Sequence, residues 1–350
     1  MPSGGVLAVA VLVALAVDHL WGEPPARWHP VVWMGRLLGW AGPLCAPVYR
    51  AADDAALPHT RWRAFSAGAV AWCMGALLVA ALAMGVQAVL QLVSTTAPDW
   101  NTWVQALLLG LLLKPLLAWR MLRQEVAAVE SALGQSLAQG QQRLAWLCSR
   151  DVTTLDAAQV RETALETLAE NLNDSVVAPL FWFAVAGLPG AAVYRWANTA
   201  DAMWGYRGER HGRDWTWAGK WAARADDVLS WLPARLTGVL LYLLGVAYRR
   251  RQRSQGHAGS VMPSVLHWRG QARLTPSPNG GWPMAALALA LGVRLGKPGV
   301  YALNDGARAP SHSDTAAALR LTHAAVAVLA VLALLVAGGS LSLRAMGSLA

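Results

Sequence analysis

AFSAGAVAWCMGALLVAALAMGVQAVLQLV, residues Ala64 to Val93, runs for thirty residues without one formal charge. A helix needs about 20 apolar residues to cross a bilayer, so this run reads as a membrane span. After the polar turn Ser94 to Asn101, the stretch Thr102 to Trp119 is apolar again apart from Lys114, and the two read as a transmembrane hairpin. The turn holds no Lys or Arg, whereas Arg61 and Arg63 precede the pair and Arg120 and Arg123 follow it. The excess of basic residues on the cytoplasmic side therefore turns Ser94 to Asn101 outward and leaves 120–175 in the cytoplasm.

Working outward, Val6 to Val17 is short and ends in Asp18-His19 rather than in a small-residue cleavage site, which predicts a short or tilted first helix. Val176 to Ala197 is broken by Gly187-Leu188-Pro189-Gly190, and Leu229 to Ala247 carries Pro233 and Arg235. Either crosses, or dips and returns, because the segments 198–228 and 248–281 on both sides are rich in Arg. Trp282 to Val293 is short, and His323 to Leu343 is a final span. The expectation is an all-α integral membrane protein, one polytopic domain over residues 1–350. It has about five spans, some broken or re-entrant, and polar helical segments on the cytoplasmic side.

Composition agrees. Of 350 residues 55% are hydrophobic and only 14% charged, against about 25% in soluble domains, which excludes disorder and most soluble folds. The net charge is +9, carried by Arg, since only Lys114, Lys220 and Lys297 are lysines. In so apolar a chain, this reads as loops facing anionic headgroups, a lipid bilayer partner rather than nucleic acid. Nineteen Trp against three Phe suit interfacial belts. Cys45, Cys73 and Cys148 form neither a CxxC pair nor a short disulfide framework.

Polar segments separate the spans. Thr153-Thr154-Leu155-Asp156 reads as a capping box opening a helix from about 155 to 172, and 249–275 reads as a basic loop that begins with a flexible tether, RRRQRSQGHAG. On the predicted helix, Glu162, Glu166 and Glu170 recur every four residues as an acidic ridge, drifting about 40° per step. A solvated face explains such a ridge, except at Glu170 and Asp174, which stand with Asn171 at the entry to an apolar segment. Asn198 and Asp201, three apart, share a helical face that suits a divalent cation also held by phosphates, unless Asp201 pairs with Arg195 or Arg207. Asp226 and Asp227 point about 100° apart on a helix, so both reach one Mg²⁺ only at a helix end or through water; N-capping is the alternative. The prolines around Trp28-His29-Pro30 force an extended path that presents His29 and Arg36 to an anion, and Ser277 to Pro283 is a rigid turn with Asn279 able to donate and accept. No GxxxxGK[ST], GxGxxG, HExxH or GxSxG motif occurs.

The strings DHLWGEPP, HPVVWMGR, SRDVTTLD, AENLNDSVVAPLFW, NTADAMWGYR, ARADDVLSWLPARL and SPNGGWP follow one another in this order between the apolar segments. Together they resemble the adenosylcobinamide-phosphate synthase family of cobalamin biosynthesis, CobD/CbiB type, over about residues 9 to 300. Asn173, Ser175 and His211 depart from the family pattern. The resemblance implies a multi-pass enzyme of the bacterial inner membrane with its active site facing the cytoplasm. It joins (R)-1-amino-2-propanol, or its phosphate, to the free propionate carboxyl of adenosylcobyric acid, the corrinoid being substrate.

Because a carboxylate is a poor electrophile, the implied reaction calls for ATP-dependent activation, hence ATP and Mg²⁺. Segments 120–175 and 198–228 would then carry the active site. Glu170, Asn171, Asp174, Asp201, Asp226 and Asp227 become the catalytic candidates, with Asp174, Asp226 and Asp227 for Mg²⁺. His29, Arg36, Glu166, Asn198, Tyr206, Arg207, Arg210, Arg224, Ser277 and Asn279 become substrate-binding candidates, the arginines for phosphate. Trp182, Trp196, Trp204 and Trp231 are expected to flank the corrinoid. Further partners would be a second copy or other late cobalamin-pathway membrane enzymes. The competing function is a transporter or carrier for a corrinoid or an anionic metabolite, which would also use broken helices and intramembrane charge.

Overall fold

The computed structural model describes residues 2–49, 58–96, 102–256 and 261–347, and these are helical almost throughout. In chain order the helices are α1 (Gly4–Trp21), α2 (Pro30–Cys45), α3 (Pro58–Thr96), α4 (Thr102–Leu113), α5 (Trp119–Leu133), α6 (Leu137–Leu144) and α7 (Ala157–Leu172). After a π-helical turn over Asn173–Val177 come α8 (Ala178–Trp204), α9 (Lys220–Ser254), α10 (Val265–Ala272), α11 (Gly281–Leu291) and α12 (His312–Gly347). Two short 3-10 turns, Ala26–Trp28 and Lys114–Leu116, and two small antiparallel hairpins, β1 (Glu209–Arg210) with β2 (Arg213–Asp214) and β3 (Leu295–Lys297) with β4 (Tyr301–Leu303), complete the described structure.

Six helical segments among the described residues are long and apolar enough to cross a membrane: 4–21, 59–94, 102–133, 157–204, 220–254 and 312–340. In the apolar window of the second only 17% of residues are buried by protein, and Leu77, Leu82, Val89 and Leu92 stand exposed along α3. Such a surface is stable against hydrocarbon and not against water, so the chain is an all-α multi-pass membrane protein. The short first helix is one of the six.

The chain, read from sequence as one polytopic domain, gathers into two compact units. The first comprises Met1–Leu117, Ala178–Leu229 and Ala333–Ala350. Its helices approach closely at small residues: a Cβ on Gly110 of α4 would lie 2.6 Å from Val13 Cβ and 2.7 Å from the Ala10 carbonyl oxygen of α1. Close packing at small residues is the main attraction between helices where lipid removes the hydrophobic driving force. The break expected at Gly187 is real: Ala186 and Gly187 leave helical geometry, with Gly187 at φ +66°. Gln87 of α3, buried, accepts the freed Leu188 N–H at 2.9 Å, which satisfies the backbone where no water reaches.

The second unit comprises Ala118–Val177 and Ser230–Leu332. Its centre is α11, where Met284 to Leu291 are all buried, so this short apolar stretch is a core helix. Gly292 ends it in the left-handed conformation, and Arg249 donates to the terminal carbonyls of Ala290 (2.8 Å) and Leu289 (2.7 Å). Arg249 to Ser254 thus belong to α9 rather than to a flexible tether, and Val265 to Ala272 of the expected basic loop form α10; 257–260 lie outside the described residues. The capping box is real but shifted. Asp156 caps α7 by accepting from Gln159 N (2.8 Å) while Gln159 Oε1 accepts from Asp156 N (2.9 Å), and Thr153 instead donates to Asp151.

Candidate active site

In the second unit the acidic ridge of α7 is not a solvated face. Glu162 and Glu166 are each 2% exposed, and each has its own cation. Arg294 donates to Glu162 Oε1 from Nη2 (2.9 Å) and Nε (3.2 Å), while Arg150 donates to Glu166 Oε2 (3.2 Å) and to Thr163 Oγ1 (3.1 Å). The Glu162 carboxylate holds the Arg294 guanidinium above its usual value. Burial first, and then the Glu166 and Glu170 carboxylates, push the Tyr301 phenol far above its ordinary value, so it is a neutral donor at any physiological pH. Glu170 closes the ridge half-buried, at the loop between α10 and α11. A Cβ on Gly280 would lie only 2.9 Å from Glu170 Oε1, so the absence of a side chain there lets the carboxylate reach the backbone of that turn.

The turn is held by Ser277, whose Oγ accepts from Asn279 N (3.2 Å) and Gly280 N (3.1 Å). Asn279 Oδ1 in turn accepts from Arg235 Nη1 at 3.0 Å. The Arg235 guanidinium packs 4.1 Å from the Trp231 ring centre and 5.0 Å from that of Trp282. Beside it opens a cavity of about 520 Å³, lined in part by Trp231, Arg235, Arg269, Arg273, Ser277 and Trp282. The three arginines escape a reading of spacing alone, although an Arg inside the apolar stretch 229–247 is a mark of function in membrane proteins.

Asn171, Asn173 and Asp174 flank or lie in the π-helical turn. Asn171 donates to its own helix at Thr167 O (3.0 Å), and Asn173 bridges Asp174 Oδ1 (2.8 Å) and the Thr237 hydroxyl (3.1 Å). Single π turns mark functional sites disproportionately, because they re-aim side chains within a helix. Here the turn carries half-buried Asp174.

The remaining candidates lie in the first unit. Asn198 accepts from Arg195 (3.2 Å), and the Asp201 carboxylate lies against Gly205, whose N–H donates to the Asp201 carbonyl at 2.7 Å. Arg210 stacks 3.6 Å over the Tyr206 ring and donates to His211 at 3.3 Å. His211 and Gly212, both at positive φ, form the tight turn that joins β1 to β2. Asp226 and Asp227 lie nearly two turns inside α9, so neither is its N-cap, and Asp227 feels the charge of Arg207. Arg36 and Arg224 are exposed. No group of three or more His, Cys, Asp or Glu side chains forms a metal cage among the described residues. A Mg²⁺ held by one carboxylate and phosphate oxygens needs none.

His29 belongs to a buried ionic cluster of the same unit that sequence reading misses. Lys114 Nζ lies 3.2 Å from Asp18 Oδ1 and 2.9 Å from Glu23 Oε1, and His29 Nε2 lies 3.0 Å from Glu23 Oε2. Gly22, at φ +73°, ends α1; the irregular segment Glu23-Pro24-Pro25 and then a 3-10 turn over Ala26–Trp28, rather than a wholly extended path, carry the chain to Pro30, the first residue of α2, whose N-cap is His29. Burial pushes the Glu23 carboxyl up, but the hydrogen bonds from His29 and Lys114 outweigh it, and the net position is below the ordinary value.

Two of the expected corrinoid-flanking tryptophans are structural instead. Trp196 is 1% exposed, packs against Gly75 and donates to the Trp72 carbonyl (3.1 Å); Trp204, equally buried, stacks on Trp215. Trp182 donates to the Leu229 carbonyl at 3.0 Å, and Trp231 remains exposed at the cavity.

Long apolar helices define a multi-pass membrane protein, and buried, ion-paired carboxylates with a cation-lined cavity make its second unit a candidate functional site. The family model described as CobD/Cbib protein matches residues 11–332. The chain is 38% identical over 339 residues to the cobalamin biosynthesis protein CobD of Chromobacterium violaceum, covering 93% of this chain and 96% of that one. It is 36% identical to a probable cobalamin biosynthesis protein CobD of Methanothermobacter thermautotrophicus (84% and 86% covered) and 39% identical to one of Pyrococcus abyssi (83% of each). No solved structure matches. The chain belongs to the CobD/CbiB family, and its role is that of an enzyme of cobalamin biosynthesis.

Proposed function

We propose that this protein is the adenosylcobinamide-phosphate synthase of its pathway, joining aminopropanol or its phosphate to the free propionate of adenosylcobyric acid by an amide bond. The observation that carries this reading is the approach of the half-buried Glu170 carboxylate to Gly280 in the Ser277–Gly281 turn, in the same unit as the neutral phenol of Tyr301, which feels the charges of Glu166 and Glu170. Amide formation needs both functions: a base for the proton of the attacking amine and a neutral donor for the acyl oxygen. Glu170 takes the amine proton as nitrogen attacks the acyl carbon. Tyr301 donates to the developing oxyanion without losing its own proton. Mg-ATP, when bound, would supply the activation that a carboxylate needs before an amine displaces its oxygen, with phosphate as the leaving group. In the unit that carries Glu170 and Tyr301, Asp174 is the residue that would hold the metal, as a single carboxylate beside phosphate oxygens; Asp226 and Asp227, candidates of the other unit, diverge too far as helix neighbours to share an ion directly.

The test is amide formation by purified, detergent-solubilised protein given adenosylcobyric acid, aminopropanol phosphate or aminopropanol, and Mg-ATP, with Glu170→Gln and Asp227→Ala beside it. A corrinoid product gaining the amine's mass, absent without ATP and reduced about 10²- to 10⁴-fold in kcat in Glu170→Gln, is expected. Folded protein that binds the corrinoid yet forms no product with either amine would refute the synthase reading and favour a carrier.

A further inference from the structure

The buried carboxylates of the second unit, Glu130, Glu162, Glu166 and Asp314, are each matched to a cation; the cations of its cavity are not matched to carboxylates. Arg150, Arg161, Arg294 and Arg308 each meet an acidic side chain within 3.2 Å. Arg235, Arg269 and Arg273, which line the 520 Å³ cavity, form no ion pair among the described residues, and no acidic residue lines the cavity. Arg235 is fixed rather than free: it donates to the carbonyls of Trp231 (2.6 Å) and Pro278 (3.3 Å) and to Asn279 Oδ1 (3.0 Å), all neutral acceptors. Of the five N–H groups of a guanidinium, these occupy three, so Nε–H and one Nη2–H stay available. The Ser277 oxygen accepts two backbone N–H groups, and its own proton has no acceptor among the described residues. Arg269 and Arg273, four apart at the end of α10, repel each other and gain only partly from the helix C-terminus; that end does not account for Arg235, which lies on another helix.

We propose that this cavity is a phosphate site: Arg235, Arg269 and Arg273, with the Ser277 hydroxyl, bind a phosphate monoester or diphosphate group. Guanidinium forks fit phosphate oxygens two at a time, and a group with nearly two negative charges balances three cations better than a carboxylate does. Trp231 and Trp282 line the site and bring apolar surface beside it, and lower local polarity strengthens charge-assisted bonds. The site stands apart from the amide-forming reading, since binding is measured without turnover; if that reading holds, the phosphate belongs to one of its co-substrates. A lipid headgroup offers the same chemistry.

The experiment uses the full chain in non-ionic detergent, titrated with inorganic diphosphate by calorimetry at fixed ionic strength. The second arm places the chain in nanodiscs of phosphatidylcholine with or without phosphatidic acid and follows thermal stability. Arg269→Gln, Arg273→Gln and Arg273→Lys are the variants, and Arg253→Gln, exposed at the end of α9 outside the cavity, is the control. Diphosphate binding that weakens at least about tenfold in each Gln variant, partly recovers in Arg273→Lys and is unchanged in Arg253→Gln supports a site for a soluble phosphate. Stabilisation by phosphatidic acid alone, lost in the same variants, supports the site with lipid as its source. No binding in either arm, or binding indifferent to Arg269 and Arg273, overturns it. Amide formation in the same preparations reads the catalytic proposal separately.

Discussion

Lys114 is the one charge in an otherwise apolar stretch, and it is 3% exposed between two carboxylates of the first unit. Removing the cation takes the ammonium away from buried Asp18 and half-buried Glu23, so Lys114→Met should lower stability by about 3 to 5 kcal/mol, read by chemical unfolding in detergent. Glu23 gives the pH dependence. Its carboxyl holds its proton less tightly folded than unfolded, below an ordinary value of 4.5, so its contribution is complete above that value and disappears as pH falls through the lower folded one. Glu23→Gln should therefore flatten the acid limb of the melting-temperature profile while lowering stability at neutral pH; an unchanged limb would show that other carboxylates set it. At this scale the sequence reveals the expensive charges but not their partners. His29 stands out beside its prolines, yet Asp18 and Glu23 become its cluster only when α1 and the turn after α4 come together. Likewise Glu162 and Glu166 look like a solvated face until Arg294 and Arg150, distant in the chain, are brought against them.

Whole elements were more legible, because periodicity and punctuation act locally. The break in α8 follows from Gly187-Leu188-Pro189-Gly190, and its cost is met by a residue no local reading could choose, Gln87, whose amide oxygen serves Leu188. Gly187→Ala adds a side chain at positive φ and against the Gln87 amide, and should cost about 1 to 3 kcal/mol. Gln87→Leu, which orphans the Leu188 N–H, should cost a similar amount, about 1 to 3 kcal/mol, by the same unfolding assay. Trp196 illustrates what composition conceals. Tryptophan enrichment suggests interfaces and ligands, but this ring fills space beside Gly75, and Trp196→Ala should lose about 3 to 5 kcal/mol of stability. A Trp196→Ala protein of full stability with impaired corrinoid binding would instead restore the ligand role. The tether read from RRRQRSQGHAG fails for the complementary reason: its first arginine caps α11, a tertiary partner that charge patterning cannot show.

At the scale of the molecule, the membrane fixes what the individual contacts leave open. Helix α3, at 39 residues, is about 58 Å long at 1.5 Å per residue, well beyond the roughly 30 Å of hydrocarbon, so both ends must emerge. One end carries Arg61, Arg63 and the exposed ring of Trp62; the other, at Ser94, carries no basic residue. The cost of moving arginines across the bilayer then predicts an orientation with Arg61 in the cytoplasm. In a variant whose three native cysteines are replaced, Ser94→Cys should react with a membrane-impermeant maleimide on the outer face of sealed, right-side-out vesicles, and Arg61→Cys only after permeabilisation. The cysteine replacements are tolerable because Cys45, Cys73 and Cys148 are all unpaired. Reversed labelling would invert α3 and, with it, the reading that turns Ser94 to Asn101 outward; labelling of both sites in sealed vesicles would mean that α3 does not cross at all, and that its exposed leucines and valines face something other than lipid.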